Sequence, residues 1–372
     1  MKASPVSWLK TRGSAILLIA ATYFYFLIFA QFGFLHRVVE TLGPGPHNSI
    51  LATMALAGVF GALLTGFRFR YEDARAWLSG GFAGTGSAAL LAAHGCDEVL
   101  FHVAAGLGGL SLASLTVALV GALRVMIPRE GIGLACGAGT GLAYLMSNVP
   151  PVFEATATGQ CLLALLTCAA GLGLTAFYRE PKALSAKDCF LGPVNDRSRA
   201  SLTGLGIIFL VLVWADSAAF TRIQADDGLR SASWSGAAHL WPIGAMHFLA
   251  AVLGGILIDR GRMVVLMVLA FLSLAVGFLL LKGPFPGLPA TLLYASGVSF
   301  YSTALVAFAL VRERRFTPYF QAGLVFAISG WIGSTLGIGM ANDLGRVPLL
   351  FWALAAVVLL GGVVLHGKEG LA

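Results

Sequence analysis

The chain has 372 residues, of which 58% are hydrophobic and only 11% charged. Soluble chains carry about 25% charged residues, so composition excludes the water-soluble two-domain protein that this length usually means. The net charge of +7 does not indicate a nucleic-acid binder, because the basic residues are scattered through short loops and form no single patch.

The N-terminal segment MKASPVSWLKTRGS is basic, and a long apolar run follows it. That run exceeds a signal-peptide core and has no cleavage site after it, so it reads as a retained first span. A span needs about 20 mainly apolar residues. Twelve runs qualify: 14–35, 49–67, 76–93, 99–123, 131–148, 155–177, 200–220, 236–258, 263–281, 289–311, 319–340 and 347–365. The third and fourth are separated only by residues 94–98, and the fifth is short and glycine-rich. The longest loop, 179–199, is polar and parts six spans from six. The expected fold is therefore an all-α membrane protein of 12 transmembrane helices in two pseudo-symmetric lobes, residues 1–178 and 200–372.

Lys and Arg orient this topology. With the N-terminus in the cytoplasm, 19 of the 24 fall on inner segments, whereas the acids divide 9 to 8. A basic bias without an acidic one is the pattern of positive-inside insertion. Both termini are then cytoplasmic, and a bacterial inner membrane is the expected location. The compact loops leave no room for an extramembrane active site.

The five cysteines form no CxxC pair and read as small packing residues. There is no HExxH zinc motif, nucleophile elbow or phosphate loop, so neither an enzyme nor an ATP-driven pump is expected. No cofactor is expected either.

Two stretches suggest a gate. Gly255-Ile256-Leu257-Ile258-Asp259-Arg260-Gly261-Arg262 joins spans eight and nine. Gly61-Ala62-Leu63-Leu64-Thr65-Gly66-Phe67-Arg68-Phe69-Arg70 stands at the corresponding place after span two, with Thr65 in place of the aspartate. Together with the six-plus-six layout, they resemble the G-x-L-a-D-r-x-G-r signature of the major facilitator superfamily; the later copy lacks one residue before its second glycine. The resemblance implies a carrier with its solute site between two lobes near the midplane. It also implies a cytoplasmic gate at Gly255, Asp259, Arg260, Arg262, Gly61, Arg68 and Arg70. An aspartate at a helix end can accept hydrogen bonds from a neighbouring helix's N–H groups and pair with arginine. A span-four pattern, R-x-x-q-G-x-g-a, aligns with residues 102–109, His102 replacing the arginine. Histidine exchanges protons near neutral pH, which makes His102 a candidate; the other reading is an interfacial residue near the outer end of the span. Gly133, Gly137 and Gly141 give span five a stripe of small residues suited to close helix packing.

Ionisable residues at depth are costly and so mark function by default. His247 is the midpoint of span eight, and Asp216 lies in the outer third of span seven, where Arg222 or Arg37 could pair with it. In the resembled family, spans one, four, seven and ten line the cavity. That adds Tyr25, Gln31, Tyr294 and Tyr301 as candidate liners, with Trp331 on the glycine-rich span eleven. Met246, Met263 and Met267, with His247, leave open a copper importer. The residues thus favour a secondary transporter of a small solute, with proton coupling one reading, in the lipid bilayer as a monomer and without nucleic acid. A non-transporting receptor or assembly factor on the same scaffold is the rival.

Overall fold

A computed structural model describes residues 5–128, 130–178, 196–283, 287–311 and 316–367. Residues 179–195 of the polar loop, with Lys182, Lys187 and Cys189, lie outside the described residues, as do Arg129, Arg312, Arg314, Arg315 and Lys368. Among the described residues, all regular structure is helical.

The first span begins as α1 (Pro5–Tyr25), passes through a π-helical segment (Phe26–Gly33) and continues as α2 (Phe34–Leu42). Next come α3 (His47–Arg68), α4 (Ala74–His94) and α5 (Glu98–Met126). α6 (Ile132–Ser147), the single turn α7 (Pro150–Phe153) and α8 (Ala157–Ala176) follow. After the polar loop the chain forms α9 (Asp196–Ala225), the short α10 (Asp227–Ser233), α11 (Ala237–Asp259), α12 (Met263–Leu281) and α13 (Leu288–Val311). α14 (Pro318–Val325), a second π-helical segment (Phe326–Gly333), α15 (Ser334–Leu344) and α16 (Leu349–Gly367) complete it.

Local chemistry sets several starts. Asp97 accepts from Leu100 N at 2.8 Å ahead of α5, and Thr156 from Gly159 N at 3.1 Å ahead of α8. Such caps satisfy backbone donors that have no partner within the helix. Thr317 caps α14, where Pro318 in the first turn has no N–H to lose. The α11–α12 connection holds only Arg260, Gly261 and Arg262, and Gly261 turns it with φ of 73°. A side chain there would be strained.

Among the described residues, ten stretches are long and apolar enough to cross a membrane, against the twelve expected from sequence. The two that fall short are α4 and α6. α4 is 21 residues long but rich in Gly, Ala, Ser and Thr, which carry little apolar surface. α6 has 16 residues, roughly 24 Å of helix against about 30 Å of hydrocarbon. Both nevertheless run inside the bundle, α4 against α5 and α8, α6 against α1 and α11.

Short connections bring the ends of α3, α5 and α11 to the starts of α4, α6 and α12, and Gly121 meets Phe69 while Gly133 meets Gly255. One end of the bundle carries Arg68, Arg70, Arg75, Arg124, Arg260 and Arg262; we call it the basic end. Across the polar loop, α6 packs chiefly on α11, and α14 with the π segment after it packs on α3; we call this line of contact the seam. Glycine lets those backbones meet. A Cβ on Gly133 would strike the Gly255 carbonyl, and one on Gly323 would stand 2.8 Å from the Ala62 carbonyl and 2.9 Å from Gly66 Cα. Gly137 and Gly141 also face α11 at Ala251, so the small-residue stripe packs helix on helix. Leu56, Phe60, Leu350, Leu354 and Val357 stay exposed on the outer faces, as hydrocarbon contact requires.

Candidate functional site

A central cavity of about 350 Å³ lies on the seam, within the range that holds a drug-sized ligand. The first span, α3, α5, α6, α9, α13 and the α14–α15 stretch all line it. The lining reaches His36, His47, Gln224 and Asn342 at the end opposite the basic one, and stops inward at Thr116, Leu305 and Phe326. Both π-helical segments border it, through Phe26, Ala30, Gln31 and Phe32 on one side and Phe326, Gly330 and Trp331 on the other. Widened helix turns of this kind are frequent at functional sites. Trp331 lies directly over Gly58, where any side chain would meet its indole ring.

Asp216 stands in the cavity wall at 5% exposure. Tyr294 OH donates to its Oδ1 and Tyr301 OH to its Oδ2, each at 2.5 Å. These phenols on α13 are its partners. The expected pairing with Arg222 or Arg37 does not occur: Arg222 pairs with Asp226, and Arg37 donates to the Gly95 carbonyl. The tyrosines sit one span away at the depth of Asp216, whereas both arginines lie toward helix ends with partners of their own.

His247 is 3% exposed. Its Nδ1 shares a 2.8 Å hydrogen bond with Ser299, and its ring stacks on Tyr144 at 4.5 Å. Tyr144 OH in turn bonds Ser302 at 2.9 Å, and one turn deeper Thr140 bonds Thr303 at 3.0 Å. α6, α11 and α13 are thereby stitched by buried polar groups. A smaller cavity of about 30 Å³ brings Asp216, His247, Gln31, Tyr144 and Tyr294 to one space.

Other expected residues go elsewhere. Tyr25 is fully buried and donates to the Thr85 carbonyl at 3.0 Å, away from the cavity. His102 bonds Thr53 at 2.8 Å and approaches Glu98 at 3.7 Å on the α3–α5 flank, also away from it. Among the described residues, no three of His, Cys, Asp and Glu gather as a metal site, and His247 is engaged with Ser299 and Tyr144, so the copper reading finds no support. Residues missed by sequence include Tyr144, Thr22 and Ser334. Thr22 Oγ1 is buried in the cavity wall with no hydrogen-bond partner.

At the basic end the seam is shut. Asp259 accepts from Gly133 N at 2.7 Å and from Leu134 N at 2.9 Å. α6 begins on Gly131, which has no side chain to cap it; Asp259 supplies the missing acceptor from α11, where the helix dipole also favours its charge. On the other flank Phe67 meets Phe320 at 5.4 Å, and Tyr319 meets Phe69 at 5.0 Å and Tyr71 at 5.7 Å. Thr65, in place of an acid, is buried among them. Gly61 packs on the Leu110 carbonyl, while Arg68, Arg70, Arg260 and Arg262 are exposed.

No family model matches the sequence, and no curated protein matches it. Solved structures do match. The human organic anion transporter MFSD10 (TETRAN) superposes with a TM-score of 0.70 at 14% identity, covering 98% of this chain and 100% of its own. FucP, a major facilitator superfamily transporter in the outward conformation, superposes with a TM-score of 0.64 at 15% identity, covering 96% and 98%. The fold is that of the major facilitator superfamily transporters. With ten stretches long and apolar enough to cross a membrane among the described residues, the chain has the make-up of a multi-pass integral membrane protein.

Proposed function

We propose that the chain is a secondary transporter that moves a small solute by alternating access, with its cavity here open to the outside. The reading counts α4 and α6 as spans, giving twelve, and takes residues 1–178 and 200–372 as two lobes joined by 179–199. It takes the basic end as cytoplasmic, by the positive-inside rule, and a bacterial inner membrane and a monomeric carrier as the setting. The observation that carries it is one cavity on the seam, reaching one end of the bundle and closed at the other by Asp259 on α6 and by the aromatic contacts of α3 with α14. A closure made of a few reversible contacts suits an element with two states. Organic anions, the cargo named for the human transporter, are not carried over: among the described residues no Lys or Arg lines this cavity.

Proton coupling through Asp216 or His247 is part of the proposal, motivated by their burial beside one shared space. Reconstituted transport is expected to respond to an imposed pH gradient, and Asp216→Asn or His247→Ala to uncouple it. Coupling unchanged in both variants removes this part.

Cysteine accessibility tests the carrier itself without a known solute. Single cysteines at Asn342 and at Ala62, on a cysteine-free background, should react with an impermeant maleimide in opposite senses as conditions shift the protein. Fixed access at both positions would return the receptor or assembly-factor reading.

A further inference from the structure

We propose that the central cavity binds a monovalent organic cation with an apolar body, a lipophilic ammonium or phosphonium, with Asp216 as its counter-charge. The inference rests on the reading of this cavity as the solute site and adds the chemical class of the solute. Three features of the lining point to it.

The first is charge. Among the described residues, Asp216 is the only acidic side chain in the lining, and no Lys or Arg accompanies it. The ion pairs among the described residues are His102–Glu98, Arg222–Asp226 and Arg230–Asp227; none reaches Asp216. The other titratable groups facing the space are Tyr23, Tyr144, Tyr301, His36 and His47, with Tyr294 and His247 behind. An anionic solute would meet this carboxylate with no fixed positive charge to offset it. A single cation would neutralise it in a setting of low dielectric, where attraction is strong.

The second is capacity. Each carboxylate oxygen of Asp216 takes one phenol donor, and a carboxylate offers about four acceptor sites. Two sites therefore remain for a solute N–H or for the close approach of an onium centre, and the phenols fix the orientation of the group.

The third is the wall. Phe26, Phe32, Phe220, Phe326, Trp331 and Tyr301 surround the space. Aromatic faces attract cations within about 6 Å, more strongly once water is excluded. Their area also takes an apolar body. A carboxylate with no basic partner in the lining, set among aromatic faces, discriminates against anions.

The test uses the purified full chain in lipid nanodiscs and two probes of matched shape and opposite charge. Radiolabelled tetraphenylphosphonium should bind saturably, and tetraphenylborate should not compete. Asp216→Asn is expected to weaken phosphonium binding at least about tenfold, and Asp216→Glu to restore most of it. Trp331→Leu should weaken it severalfold with Asp216 intact. If Asp216→Asn fails to fold, the charge preference of the unmodified chain still decides the matter. Equal binding of the two probes, no saturable phosphonium binding up to about 1 mM, or an Asp216→Asn variant binding within about twofold of the parent overturns the assignment. Phosphonium binding with fixed cysteine access keeps the cation site and removes the carrier reading. Reciprocal access without binding removes the cation site alone.

Discussion

At the residue scale, two carboxylates divide the labour by their surroundings. Asp259 is exposed and completes a helix that starts on a glycine; Asp216 is buried and held by two phenols. Removing the first affects closure: Asp259→Ala should cost the outward-open state about 1–2 kcal/mol. That shifts the ratio of states about 5–30-fold toward opening at the basic end, read as faster labelling of a cysteine placed at the buried Ala62. That Asp259 would accept backbone N–H bonds from a neighbouring helix was legible in the sequence, because it stands at a helix end before a short, glycine-turned loop. The partners of Asp216 were not, since Tyr294 and Tyr301 lie 78 and 85 residues away and nothing local pairs them. Tyr25 shows the same limit. It is two residues from Tyr23, about 200° around an α-helix, so one faces the cavity and the other Thr85; only packing decides which.

At the element scale, span positions followed from hydropathy because the bilayer fixes how much apolar chain a crossing needs. α4 falls below the threshold through its small and polar residues, and α6 through its length of 16 residues. The π-helical segments were not legible at all. They have ordinary apolar compositions, and their widened turns are visible only as bonds such as Phe34 N–H to the Phe29 carbonyl. The end of the first segment is tightly fitted: a Cβ on Gly33 would stand 2.8 Å from Gln160 Cβ, and the Gln160 amide is tied to the Phe153 carbonyl at 3.0 Å. Gly33→Ala should therefore destabilise the chain by about 1–3 kcal/mol, seen as a lowered Tm in a thermal-shift assay. Gly323→Leu is expected to act differently. Its side chain would collide with α3 only when the basic end is shut, so the overall fold should survive while double electron–electron resonance finds that end held apart.

At the scale of the whole molecule, the two flanks of the closed end are built from unlike materials. One is an exposed carboxylate on a helix terminus, between α11 and α6; the other is a sheet of aromatic rings between α3 and α14. Attraction between a surface charge and a helix terminus is screened by dissolved salt. Ring packing is not, and it weakens instead on cooling. Ionic strength and temperature should thus loosen the molecule from opposite sides. Spin-label distances across each flank, followed through a salt series and then a temperature series, are expected to lengthen first at α6–α11 in one and first at α3–α14 in the other. A protein of this construction has two independent handles on one door, and an environment that is both cold and briny would pull both.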